Sequence, residues 1–146
     1  SALETDPDNT AIRLRYGYLK EQSGDKAGAL EEYKKTVEAD PEFFEGNYYA
    51  GAIYLDSARV IINDVNSLDD KEWEEKSETM LKEADDLYEQ AIPYFTKASE
   101  LQPENTEILQ ILYQVHTRLK NEQKVEEYDK KLQELVGPDW LEKEIQ

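Results

Sequence analysis

Residues able to do covalent or metal chemistry are sparse in this chain. Among 146 residues there is one histidine, His116, and no cysteine. A lone imidazole without thiolates cannot assemble an ordinary zinc site. The lack of cysteine also excludes disulfides and thiolate nucleophiles, and is compatible with either cytosol or periplasm. Carboxylates are the opposite case. With 34 Asp and Glu, a pair at any given spacing says little about acid–base catalysis unless a pocket surrounds it. Gly24-Asp25-Lys26-Ala27-Gly28 lacks both the spacing and the terminal Lys-Ser/Thr of a phosphate loop. Asp64, Asn66 and Glu75 stand where a calcium loop would place ligands. Leu68, however, occupies a ligand slot, and Asp69 stands where that loop turns on glycine. A helix cap is the better reading of Asp69. The chain is therefore expected to be no enzyme, with no cofactor and no metal, and its function is expected in a surface.

Composition narrows what that surface meets. The net charge is −17 and 38% of residues are apolar. Such a chain fills one core, and its charge argues against DNA, RNA and anionic lipid, whose binding requires phosphate neutralisation. Basic peptides or proteins are the electrostatically easier partners. An acidic run such as Glu72-Trp73-Glu74-Glu75 is also simply what a wet outer face looks like. No apolar run is long enough to cross a membrane.

The elements that must carry this surface show in a period. Pro7 and Pro41 lie 34 residues apart at the same point of a self-similar segment. A period of that size marks a helix–turn–helix unit that buries its apolar face only by stacking on copies of itself. Gly17 and Ala29 fill two small slots of one unit, and Gly51 and Ala91 those of the next, where paired helices cross closely. Tyr16 with Tyr33, and Tyr54 with Phe95, are the expected plugs of each seam. Gly24-Asp25-Lys26-Ala27-Gly28-Ala29-Leu30-Glu31-Glu32-Tyr33, continuing to Glu38-Ala39-Asp40-Pro41, resembles the second helix of a tetratricopeptide repeat. Glu89-Gln90-Ala91-Ile92-Pro93-Tyr94-Phe95-Thr96-Lys97-Ala98, continuing to Leu101-Gln102-Pro103, repeats it.

The resemblance implies an all-α, right-handed superhelical solenoid of antiparallel helix pairs. Residues 1–8 match the closing turn of a preceding repeat, so the chain is expected to be a fragment of a longer repeat protein. Residues 9–41 form the first repeat and 42–103 the second. Residues 104–137 form the third, whose last helix is stopped by Gly137-Pro138, and 138–146 a short capping helix that can start at Asp139. Trp140, Leu141 and Ile145 are expected to cover the last exposed core. In the third repeat Tyr113 and Val125 replace the small residues, which puts close helix contact there in doubt. His116 falls in the slot of Tyr54 and is expected as a partly buried packing residue.

The second repeat departs most. Pro41 to Pro103 is 62 residues, 28 more than the period. The excess, about 55–83, has no loop character. It is expected to lengthen both helices by about four turns, a hairpin projecting roughly 20 Å. The turn is expected at Asp64-Val65-Asn66-Ser67, with Ser67–Asp70 and Asp69–Glu72 as capping boxes. Trp73, Met80, Ala84, Leu87, Ala91, Tyr94, Ala98 and Leu101 are spaced as a helix seam, facing Tyr54, Ala58, Ile61 and Val65. Pro93 removes one backbone bond, to the Glu89 carbonyl, and predicts a kink without a break. Similar inserts occur in a group of bacterial tetratricopeptide proteins, which often carry export signals. That resemblance leans toward an exported or periplasmic location, with cytoplasmic as the alternative.

By the same resemblance, first helices line a concave groove that holds peptides. Its residues here would be Leu14, Arg15, Tyr18 and Gln22, then Tyr48, Tyr49, Ala52 and Asp56, then Gln110, Ile111, Gln114 and Arg118. Tyrosine offers stiff apolar area with one polar tip, useful for binding and equally for packing on the next helix. The family's carboxylate clamp is not matched. Its slots hold Leu14, Tyr18, Tyr49, Glu107 and Ile111, none basic, and Glu107 would repel a terminal carboxylate. The rival surface is the hairpin, where Ile61, Ile62, Trp73 and Met80 form an expected apolar patch suited to a second copy of the chain or to another protein.

Overall fold

The structure, a computed structural model, describes residues 9–145, with side chains through Lys143. The segment expected to close a preceding repeat lies outside the described residues. Seven helices are described: α1 (Thr10–Gln22), α2 (Lys26–Ala39), α3 (Phe44–Asn66), α4 (Asp70–Leu101), α5 (Thr106–Arg118), α6 (Glu122–Val136) and α7 (Trp140–Ile145). The fold is all-α. Helices pack as successive antiparallel pairs, α1 with α2, α3 with α4 and α5 with α6, and each pair also meets the next.

Local backbone geometry repeats with the pairs. After α1 the amides of Ser23, Gly24 and Asp25 bond the carbonyls of Leu19, Glu21 and Lys20. After α5 the amides of Leu119, Lys120 and Asn121 bond those of Val115, Thr117 and His116, the same ladder 96 residues on. Gly24 and Lys120 take the left-handed conformation in these turns, at φ 93° and 62°. Asn9 and Asn105 each cap the following helix by accepting from the third residue along, Ile12 and Ile108.

Close approach depends on the small slots. A Cβ on Gly17 would lie 2.7 Å from Tyr33 Cε1, and one on Gly51 2.9 Å from Phe95 Cε2. Each glycine therefore lets an aromatic ring approach a helix backbone closely. Tyr33, Phe95 and Tyr54 are buried. Tyr16 is not a plug: it is exposed, with the Lys20 ammonium over its ring at 4.5 Å. The α1 face toward α2 is instead Arg13, Gly17 and Lys20, and both cations reach the buried Glu32 carboxylate, at 3.0 and 3.3 Å. An ionic pair occupies the place expected of a ring and leaves Tyr16 off the seam.

The middle pair is long but unequal. α3 has 23 residues against 13 in α1, and α4 has 32 against 14 in α2. The excesses of 10 and 18 together make up the 28 inserted residues, so the expected equal extension is corrected. α3 also runs through Asp64 to Asn66, and the turn falls at 67–69. Ser67 caps the end of α3, its hydroxyl donating to the Asn63 carbonyl at 3.0 Å, while Asp69 alone caps α4 through the Glu72 amide at 2.8 Å. The segment considered for calcium is thus two helix ends, with the Asp69 carboxylate already engaged. Pro93 lies inside a continuous α4.

The seam of α4 is Ala84, Tyr88, Ala91, Phe95 and Ala98. Leu87 and Tyr94 pack at its flanks, and Trp73, expected within it, is 44% exposed. Ile61 and Ile62 both pack against the main core. With Ala58 and Ala84 fully buried on opposite sides, α3 and α4 approach closely enough to cover a wide stripe. The large apolar side chains left open on the hairpin are Val60 and Trp73; of the four residues expected as a patch, Trp73 is exposed while Ile61, Ile62 and Met80 are half-buried.

At the third pair, Tyr113 meets Trp140 edge-on at 4.9 Å, and Trp140 Nε1 donates to Asp129 at 2.9 Å. The large residue in the small slot receives the capping helix and leaves a recess of about 430 Å³ bordered by Tyr113, Val125 and Asp129. Trp140 is buried; Leu141 is exposed, against expectation, because one short turn of helix presents only one face to the core. The Ile145 side chain lies outside the described residues.

Candidate functional site: an aromatic and acidic groove across the first two helix pairs

α1 and α3 place their tyrosines in one continuous run. Tyr18 meets Tyr49 edge-on at 6.4 Å, Tyr49 stacks on Tyr33 at 5.4 Å, and Tyr48 meets Tyr49 at 5.7 Å and 87°. Phe44 stacks on Tyr48 and Phe95 meets it edge-on, anchoring the run in the main core. Tyr18 remains 45% exposed. Beside it a recess of about 210 Å³ is lined by Ala11, Leu14, Arg15, Tyr18 and Tyr49. Five of the residues named from sequence, Leu14, Arg15, Tyr18, Tyr48 and Tyr49, therefore meet in space. Ala52 follows on the same face of α3, half-buried, and Gln22 ends α1, exposed.

α5 joins this face through a residue that the register marked only as repellent to a carboxylate. The Tyr48 hydroxyl donates to Glu107 Oε1 at 3.0 Å. Gln110 and Ile111 are half-buried on α5, and Gln114 is exposed beyond them. Arg118 is engaged elsewhere, in an ion pair with Asp85 of α4 at 3.1 Å.

Carboxylates act on several side chains of this region. Burial pushes the Glu21 carboxyl above its ordinary value and Asp56 adds to the push, while Lys26 partly offsets it. Burial, then the Glu107 bond, raises the Tyr48 phenol. Burial raises the Tyr33 phenol strongly, with Glu21 the next cause. Glu21 was not singled out in the sequence. The available signal was its position one turn after Gly17, where helix contact had already been inferred.

His116 belongs to the frame and not to the groove. It is buried, stacked on Tyr128 at 5.7 Å and 13°, with Asn121 Nδ2 donating to its Nδ1 at 3.0 Å. Burial, helped by Lys124, holds its pKa below the ordinary 6.5. The neutral ring therefore contributes stability that is complete above pH 6.5 and is lost as pH falls toward the depressed folded value. Urea midpoints at pH 7.5 and 5.5 should fall more steeply for the parent than for His116→Gln. Equal slopes would mean the ring takes up its proton without penalty.

Comparison of the sequence with family models and with curated proteins finds no match. Among solved structures the chain is similar to YrrB, described as a TPR protein with an unusual peptide-binding site. That likeness covers 94% of this chain and 73% of the other, at 19% identity and a TM-score of 0.38.

Proposed function

We propose that the chain is a non-enzymatic protein-interaction scaffold, of the tetratricopeptide type its sequence resembles, and that a peptide segment lies along the tyrosine face of α1 and α3. The supporting observation is the run Tyr18–Tyr49–Tyr48, open to solvent at Tyr18 and rooted in the core at Phe95. Stiff aromatic area with a polar tip is what binding hot spots use. Panning a random nonapeptide library on the protein should enrich peptides whose affinity drops about tenfold on Tyr18→Ala, a loss of ordinary hot-spot size. Tyr18→Ala with Tyr49→Ala should abolish that binding and leave the oligomeric mass unchanged. Peptides that bind parent and variants equally would remove the groove from consideration.

A second reading, self-association through the hairpin, is favoured by exposed Val60 and Trp73. Light scattering over a concentration series would support it if a dimer dissolved on Val60→Ser with Trp73→Ser.

A further inference from the structure

Two large apolar side chains stand exposed on one face of α1, away from the tyrosine groove. Tyr16 is 44% and Leu19 57% exposed, and Ile12 is half-buried. At i, i+4 and i+7 they form one stripe along the helix. The repeat itself shows what such a stripe meets. At the same point of α3, 34 residues on, stand Gly46, Ala50 and Ile53, all buried. A Cβ on Gly46 would meet Thr36 and Val37 of α2, and Ala50 and Ile53 share a cluster with Ala29 and Tyr33 of α2. In α5, 96 residues on, stand Ile108, Leu112 and Val115, buried in one cluster with Ala91, Phe95 and Ala98 of α4. Both times the second helix of the preceding pair covers the stripe.

Size and charge define the helix that fits on α1. Its stripe is bulky, as in α5 and unlike the Gly46 and Ala50 face of α3. It therefore suits a neighbour such as α4, with small residues on either side of one ring. α1 also carries Arg13, Arg15 and Lys20 against Glu21 alone, in a chain of net charge −17. Arg15 and Lys20 flank the stripe on opposite edges, and the Lys20 ammonium stands over the Tyr16 ring. Their counterparts are Tyr49 and Tyr54 in α3 and Ile111 and His116 in α5, so a pair of cationic edges belongs to α1 alone. The chain's own second helices do not supply this neighbour. α2 and α4 already cover α3 and α5, and α6 has Asp129 where they have Tyr33 and Phe95. Four residues link α2 to α3 and α4 to α5, so of the nine before Thr10 five remain, little more than one turn.

We propose that this face of α1 docks an amphipathic helix of a partner protein, with acidic flanks and a stripe like Ala91, Phe95 and Ala98. The face is not the one that carries Tyr18, and the assignment does not rest on the groove reading.

The probe is a synthetic peptide of Ala84–Pro103 with Pro93→Ala, which removes the helix-breaking ring. It holds that stripe and a net charge of −3, from Asp85, Asp86, Glu89 and Glu100 against Lys97. Titrated into the full chain to about 1 mM, it should bind saturably, and more weakly as salt rises. Tyr16→Ser with Leu19→Ser, both at exposed positions, should weaken binding about tenfold or more. The same peptide with Phe95→Ala should not bind. A fusion carrying Ala84–Glu104 in place of residues 1–8 tests the face without regard to affinity. Its melting temperature should exceed the parent's, and the two serines should erase the gain. No gain, or peptide binding indifferent to the serines, overturns the docking face. A gain without binding of the free peptide leaves the face to a tethered helix and overturns the partner. Binding only after removal of residues 1–8 makes that segment the occupant, and a dimer dissolved by the serines makes it a second copy; each overturns the partner as well.

Discussion

Replacing Phe95 by alanine should cost about 3–5 kcal/mol, a large share of what a domain of this size has to spare. The ring is 1% exposed, lies against Gly51 and meets Tyr48 edge-on, so it ties α3, α4 and the groove to one core. Collapse around the lost ring is limited because Ala91 and Ala98, a turn to either side, are already small and fully buried. Gly51 supplies the stricter test. As a helix-interior glycine it should gain about 1 kcal/mol on replacement by alanine, from propensity alone. A Cβ there would stand 2.9 to 3.1 Å from three atoms of the Phe95 ring, and overpacking of that kind costs about 1–3 kcal/mol. Gly51→Ala should therefore destabilise the parent and stabilise the Phe95→Leu protein. Urea unfolding of the four-member cycle reads this reversal of sign. The same sign in both backgrounds would mean that the ring does not require the glycine.

Tyr33→Phe should work in the opposite direction, raising stability by about 1–2 kcal/mol, because it removes a buried hydroxyl that no partner satisfies and leaves the ring packing intact. For a chain of this length that is a rise in melting temperature of roughly 3–7 °C. A neutral or lower melting temperature would show that the hydroxyl is already satisfied.

How much of this was legible in the sequence follows from what each kind of signal constrains. Gly17, Gly51, Ala29 and Ala91 read correctly because a close helix crossing has one steric solution, and prolines fix its phase. The length of the insert read correctly, but its division did not, since periodicity counts residues without saying which helix receives them. Tyr16 and Tyr88 show the limit of apolar periodicity. Near the seam of α1 the stronger claim belonged to Arg13 and Lys20 on Glu32, a polar arrangement invisible to an apolar count. In α4, Tyr88 lies one position from the expected Leu87, and only packing against real neighbours decides between them. Leu14, Arg15, Tyr18, Tyr48 and Tyr49 come together in space because α1 and α3 lie side by side. The bond from Tyr48 to Glu107 and the unpartnered Tyr33 hydroxyl were not legible, because burial and facing groups arise only after the helices have stacked.

The division of the core has a consequence for how the molecule opens. Most buried side chains form one cluster across α3 to α7, whereas α1 and α2 attach through the smaller set of Ala29, Tyr33, Ala50 and Ile53. In a stack of nearest-neighbour contacts the thinly attached end exchanges its amides first. The tyrosine face straddles that boundary, with Tyr18 on the faster-opening side and Tyr48 and Tyr49 on the slower. An occupant spanning both sides acts as a strap, and its binding energy appears as slowed amide exchange in α1 and α2. A peptide held as proposed would therefore be released on warming that loosens the first pair, before the rest of the molecule yields.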